Sequence, residues 1–310
     1  MAINAGEIIY PSDINKILND IDVIGKNIMP LSWKSAQSFT AESIESVCYG
    51  NGKFVVGGFG EMGYSTDGIT WTAISPSFTT SGINSICYGN GKFVAGGYDG
   101  SMGYSTDGMT WKIMKPSFST YDIYSICYGN GKFVAVGYNG SMGYSVDGTT
   151  WTEISQSFTT GSIISVFYGN GKFIAAGAGG KMAHSTDGTT WTEISPGFTA
   201  ESIFSISYGN GKFVAAGYNG SMGCSVDGTT WTEISQSFTT NRISSVFYGN
   251  GKFVAVGAGG KIAYSIDGIT WTEISQSFNT GYINSVFYGN GKFVAVGAGG
   301  KIGYCQSGIL

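Results

Sequence analysis

Ser145-Val146-Asp147-Gly148-Thr149-Thr150-Trp151 is one of six copies of the pattern Ser-x-Asp-Gly-x-Thr-Trp; the others begin at Ser65, Ser105, Ser185, Ser225 and Ser265. Asp-Gly between two runs of alternating apolar and polar residues is a hairpin signal, because glycine tolerates positive φ and the Asp carboxylate can accept bonds from turn amides. The Ser and Thr hydroxyls can satisfy more of the backbone, and the Trp pins the outgoing strand. An Asp whose oxygens are occupied by turn amides is poorly placed for chemistry, so the motif reads as a structural clasp.

A second landmark, Tyr-Gly-Asn-Gly-Lys-Phe, begins at Tyr49, Tyr88, Tyr128, Tyr168, Tyr208, Tyr248 and Tyr288, and its last five intervals are forty residues each. Each unit predicts four short strands, placed in one repeat at Ile163 to Tyr168, Lys172 to about residue 177 and Lys181 to Ser185, with Thr150 to Ser155 as the copy of the last. Four strands in about forty residues suit a propeller blade. The expected fold is therefore all-β, a seven-bladed β-propeller spanning residues 31–310.

The two ends predict how the ring closes. The seventh unit stops at Leu310 after a degraded turn, Tyr304-Cys305-Gln306-Ser307-Gly308, with no Trp strand behind it. That strand stands instead near the start, where Trp33-Lys34-Ser35-Ala36-Gln37-Ser38-Phe39 matches Trp151 to Phe158 with one residue fewer. Residues 31–39 are thus expected to complete the blade of 283–310. A closed ring leaves only short, protected edges, whereas an open stack needs capping repeats.

Residues 1–30 lie outside the repeat. Behind the N-cap types Ser12 and Asp13, the apolar residues Ile14, Ile17, Leu18, Ile21 and Ile24 follow helical spacing up to Gly25. This reads as one short amphipathic helix, to be docked on the propeller, on another copy or on a different protein.

Composition excludes several classes. Only 12% of the residues are charged, against roughly 25% in average globular proteins, while glycine reaches 51 residues. A net charge of −4 gives no basic footprint for nucleic acid. No apolar run approaches the ~20 residues of a membrane span, and the first residues lack the basic region of a signal peptide, so the expectation is a soluble chain made in the cytoplasm. Cys48, Cys87 and Cys127 occupy a repeat position filled elsewhere by Phe167, Ser207, Phe247 and Phe287, and no Cys-x-x-Cys spacing occurs. The cysteines therefore read as packing residues, and neither a metal nor a cofactor is expected.

The Ser-x-Asp-Gly-x-Thr-Trp turns resemble the Asp-box, or bacterial neuraminidase repeat, of sialidases and other β-propellers, a resemblance that covers Trp33 to Leu310. The leader Gly6-Glu7-Ile8-Ile9-Tyr10-Pro11-Ser12-Asp13-Ile14-Asn15 is similar to N-terminal segments of bacteriophage and prophage tail proteins, which implies a tail or receptor-binding setting. Sialidases hold the substrate carboxylate with three arginines, and this chain has one, Arg242. Lysine does not replace a bidentate Arg clamp. A glycosidase with paired carboxylates stays open as a rival. Most carboxylates recur once per blade, leaving Glu42, Glu45, Glu61, Asp99, Asp122 and Glu201 as candidates that stand apart. The lone His184 replaces a Tyr of sibling units and reads as a filler of a blade position. The lysines of the Asn-Gly turns, including Lys132 and Lys172, read as a solvated rim.

What remains is a binding surface. Both tight turns fall on one face of the disc and hardly vary, whereas the opposite face does. One of its loops alternates between Tyr98-Asp99, Tyr138-Asn139 and Tyr218-Asn219 and a version with Ala178-Gly179, Ala258-Gly259 and Ala298-Gly299; the other carries Tyr121, Asp122, Arg242 and Tyr282. Exposed aromatics beside amides and carboxylates suit sugar recognition. The sequence thus predicts a non-catalytic module that binds a glycan or cell-surface receptor, with a structural protein that binds another polypeptide as a further alternative.

Overall fold

The computed structural model describes residues 32–306, apart from 76–80, 117, 119, 120, 156, 157, 199, 200, 237 and 277. The leader helix expected between Ser12 and Gly25 lies outside the described residues. Seven four-stranded antiparallel sheets follow one another around a ring. In the third blade the strands are Ile123–Gly129, Lys132–Gly137, Met142–Ser145 and Thr152–Glu153, running in that order from the axis outward. The outermost strand is two or three residues long rather than the six expected, because the Asp-Gly loop extends as far as Trp151 before pairing begins.

Closure is as the two ends predicted. The strand Lys34–Ser35 pairs antiparallel with Ile302–Gln306, in the register Lys34 with Tyr304 and Ser35 with Gly303. Trp33 is buried and joins Phe278 at 5.7 Å between ring centroids, in one apolar cluster with Val254, Phe293 and Cys305. The same step recurs around the ring as Phe118 on Trp151, Phe198 on Trp231 and Phe238 on Trp271. Each Phe follows the outer strand of one blade and reaches the Trp of the next.

The apolar cores lie between blades. Val94 and Met102 of the second blade pack with Ile123, Phe133 and Trp151 of the third, and the second-strand Phe of every blade, Phe54 through Phe293, is fully buried. Close to the axis, the Gly that ends each first strand receives the Tyr of the next blade. A Cβ on Gly129 would lie 2.0 Å from Cγ of Tyr168, and one on Gly289 would meet Tyr49 across the closure at 2.3 Å. These glycines are therefore set by close approach and not by turn geometry.

Polar groups join the blades as well. The Ile126 amide donates to Ser85 Oγ at 3.0 Å, Val166 to Ser125 at 3.1 Å and, across the closure, Val47 to Ser285 at 3.4 Å. Lys92, Lys132, Lys172 and Lys212 each donate Nζ to the carbonyl of the next blade's Asp147, Asp187, Asp227 and Asp267, at 2.7 to 3.1 Å. The expected solvated rim of lysines is thus, at these four positions, a set of half-buried clamps onto backbone oxygens.

Both tight turns have the expected chemistry. Asn130 and Gly131 carry φ of 45° and 75°, the paired left-handed positions that an Asn-Gly hairpin supplies. In the Asp-Gly turn, Asp147 Oδ1 accepts the Thr149 and Thr150 amides at 2.7 and 2.8 Å and the Ser145 hydroxyl at 3.0 Å, while Ser145 Oγ accepts the Gly148 amide at 2.8 Å. In the sibling turn burial alone would raise the Asp67 carboxyl. The Thr70 and Ile69 amides and the Ser65 and Thr70 hydroxyls outweigh it and hold the group down at about 2. The motif is a clasp whose carboxylate is committed to the backbone.

Candidate binding face at the axial mouth

Each first strand begins at the face opposite the tight turns, and an invariant Ile marks its first residue: Ile44, Ile83, Ile123, Ile163, Ile203, Ile243 and Ile283. These isoleucines are essentially fully buried. The residues on either side of them differ from blade to blade: Ser43 and Glu45, Gly82 and Asn84, Asp122 and Tyr124, Ser162 and Ile164, Ser202 and Phe204, Arg242 and Ser244, Tyr282 and Asn284. The next residue is again invariant, the serine of the interblade bonds. The ring geometry therefore gathers fourteen divergent positions around one opening. Behind it, the first strands of all seven blades line an axial cavity of about 450 Å³.

The loop between the second and third strands lies beside the start of the first strand, and of the predicted site residues only Arg242 lines the cavity itself. In the third blade the Tyr138 amide donates to the Asp122 carbonyl at 2.9 Å, which ties that loop to the start of the first strand. The predicted site residues Tyr98, Asp99, Tyr121, Asp122, Tyr138, Asn139, Tyr218, Asn219, Arg242 and Tyr282 all lie in these two segments. Several meet directly. The rings of Tyr121 and Tyr138 are 5.6 Å apart, those of Phe59 and Tyr98 5.6 Å, and those of Phe204 and Tyr218 6.5 Å. The Asp99 amide donates to Asp122 Oδ1 at 3.1 Å, and Ser81 Oγ donates to Asp99 Oδ2 at 3.2 Å. Tyr121, Tyr138, Tyr218 and Tyr282 leave 41 to 57% of their surface exposed.

Part of the loop variation has a backbone cause. Asp99, Asn139 and Asn219 have φ of 55°, 52° and 53°, and the glycines at the same position, Gly259 and Gly299, have 68° and 65°. A left-handed position accepts Gly, Asn or Asp and little else, so those residues serve one turn in either version. The preceding residue, Tyr or Ala, is under no such demand. The tyrosines, more than the amides beside them, are what distinguish the second, third and fifth blades.

Charge is divided across the mouth. Burial, helped by the Glu45 and Asp122 carboxylates and by Tyr124, raises the Tyr98 hydroxyl, and burial with Asp122 raises that of Tyr124. The first three blades thus carry the negative side. Arg242, on the sixth, lays its guanidinium over the Phe204 ring at 4.0 Å from the centroid, and burial lowers its pKa while Glu45 opposes that shift. Sequence reasoning singled out Arg242 but passed over Tyr124, Phe204, Ser244 and Asn284. The signal for them was present: divergence on both sides of the invariant Ile.

The chemistry available elsewhere is limited. Among the described residues no three His, Cys, Asp or Glu side chains are grouped to hold a metal ion, and none of the helices is long and apolar enough to cross a membrane. His184 is half-buried on the third strand of its blade, paired in register with Ile174 and Thr192 and away from the mouth.

No family model matches the chain, and no curated protein matches it in sequence. Solved structures do match in shape. YCF48 from Cyanidioschyzon merolae is 17% identical with a TM-score of 0.71, over 89% of this chain and 98% of its own. A catalytically inactive virginiamycin B lyase from Staphylococcus aureus, solved with quinupristin, is 12% identical with a TM-score of 0.79, over 89% of this chain and 99% of its own. The WD40 β-propeller domain of Doa1 is 13% identical with a TM-score of 0.71, over 89% and 96% of the two chains. At such identities the likeness concerns architecture alone: the chain is a seven-bladed β-propeller of four-stranded antiparallel blades.

Proposed function

We propose that the chain is a non-catalytic recognition module that binds a glycan across the divergent face, in the setting of a tail or receptor-binding protein. The observation that carries this reading is the set of half-exposed tyrosines on the divergent face, Tyr121, Tyr138, Tyr218 and Tyr282, a tyrosine crown with Asp122 on the same face and Asn84 and Asn284 lining the axial cavity. Ring faces offer apolar surface to sugar C–H groups, and fixed polar groups can orient hydroxyls. The opposite face repeats one clasp around the disc, and its carboxylates are spent on turn amides. Several similar blade positions would add avidity on a polysaccharide. The likeness of the leader to tail proteins supports the setting.

A glycan array followed by titration of the best ligand tests the reading. Tyr138→Ala is expected to weaken binding about tenfold. Val226→Ser, at an exposed position of an Asp-Gly turn on the other face, is expected to leave it unchanged. Equal loss in both variants, or an array with no binder, would overturn the glycan assignment, and turnover of a glycoside abolished by Asp122→Asn would replace it with an enzyme. A polypeptide ligand is the second reading, favoured by a YCF48 structure solved with a D1 peptide, which is 17% identical to this chain with a TM-score of 0.71. Retention of a protein partner that Tyr138→Ala releases would select it.

A further inference from the structure

Arg242 is the only arginine of the chain, and although the Glu45 carboxylate favours its charge, no ion pair holds it among the described residues. It is half-buried, its Nε is buried without a hydrogen-bond partner, and the ion pairs among the described residues, Lys181 with Glu193 and Lys261 with Glu273, do not include it. Stacking on Phe204 fixes the plane of the guanidinium and leaves its edge without an acceptor. Two residues along the same strand, Ser244 is only 6% exposed, and its Oγ also lacks a partner. Both residues line the axial cavity. A buried hydroxyl and a half-buried cation left unmatched side by side are each unfavourable unless a ligand completes them.

The first and third blades bring the opposite character to the mouth. Glu45 accepts the Ser43 hydroxyl at 2.6 Å and forms no ion pair among the described residues, and Asp122 stands on the third blade. We infer that the axial mouth is a site for a small organic acid that also bears hydroxyl or amine donors: its carboxylate sits on Arg242 and Ser244, and its donors face Glu45 and Asp122. A planar carboxylate matches the guanidinium fork, and the serine hydroxyl supplies a further donor to it. A cavity of about 450 Å³ has the volume of a small-molecule site. This site goes beyond glycan recognition on the tyrosine crown and does not depend on it.

The test is titration of the full chain with gluconate, lactate and glutamate, followed by calorimetry and by the shift in melting temperature. Sorbitol, propionate and inorganic sulfate serve as controls, since they lack the carboxylate, the donors, and both the carboxylate and the donors, respectively. At least one of the three acids is expected to bind at least about tenfold more tightly than every control. Arg242→Gln should weaken that acid about tenfold or more, Ser244→Ala should weaken it to a smaller extent, and Arg242→Lys should fall between parent and Gln. Without ligand, Arg242→Gln should melt close to the parent, because loss of the Phe204 stack is offset by removal of a half-buried charge that no ion pair matches. Failure of all three acids to bind would overturn the assignment. So would sorbitol or sulfate binding equally well, unchanged affinity in Arg242→Gln, or a ligand-free variant that melts well below the parent, which would make Arg242 a packing residue. Binding of neutral glycans to the tyrosine crown should be indifferent to Arg242→Gln, so failure of either reading is distinguishable from failure of the other.

Discussion

Trp33→Ala is expected to lower the free energy of unfolding by about 3–5 kcal/mol, the range for truncating a large buried aromatic side chain. Trp33 is 6% exposed and sits in the cluster of Phe278, Phe293 and Cys305, so its loss opens a void where the two ends of the chain meet. The neighbouring strand contributes only two ladder pairs, Lys34 with Tyr304 and Ser35 with Gly303. Most of the closure therefore rests on side-chain packing. Equilibrium urea unfolding of Trp33→Ala beside Trp151→Ala is the measurement. The two variants should be destabilised alike, since Trp151 meets Phe118 as Trp33 meets Phe278. A cost below about 1 kcal/mol at Trp33 would mean that the first described strand is dispensable and the ring is held elsewhere.

Gly129→Ala should be among the more damaging single-methyl additions at the described residues, costing about 3 kcal/mol or more. Its Cβ would lie 2.0 Å from Cγ of Tyr168. That ring cannot retreat, because it packs at 4.6 Å on Phe173, whose side chain is fully buried. Two residues on, Gly131 stands in the turn with φ of 75° and has nothing within 4 Å of its virtual Cβ. Gly131→Ala meets only the backbone penalty of roughly 1 kcal/mol. Denaturant midpoints of the pair separate packing from turn geometry. If Gly131→Ala proved the worse, the close approach of neighbouring blades near the axis would not limit stability.

Nearly all of the architecture could be read from the repeat. Alternation and the Asn-Gly and Asp-Gly turns fix four strands per unit, and the Trp33 segment supplies what the unit of Tyr288 lacks. The length of the outer strand was not legible, since the clasp that Asp147 builds continues to Trp151, and no periodicity marks where pairing resumes. Four lysines of the Asn-Gly turns, Lys92, Lys132, Lys172 and Lys212, were misplaced in solvent for a related reason. Their carbonyl partners, such as Asp187 for Lys132, belong to the next blade and lie 55 residues away in the chain. At the proposed binding face the sequence named loops that the structure ties to the starts of the first strands, as Tyr138 is tied to Asp122. It gave Asn139 and Asn219 a recognition role for residues whose type the left-handed backbone already requires, and it overlooked Tyr124, Phe204 and Ser244. Those three stand on strands that read as core, and only the ring turns the beginnings of seven first strands toward one opening.

The central functional claim is that one face of the disc recognises a ligand and the other holds the ring together. Hydrogen–deuterium exchange of the full chain with and without its best glycan ligand tests that division most directly. Protection is expected in the segments around the invariant isoleucines, such as 121–124, 202–204 and 282–284, and in the loops 138–141 and 218–221, with the Asp-Gly turns unchanged. Protection concentrated on 65–70, 145–150 and 225–230, with the axial mouth unaffected, would contradict it.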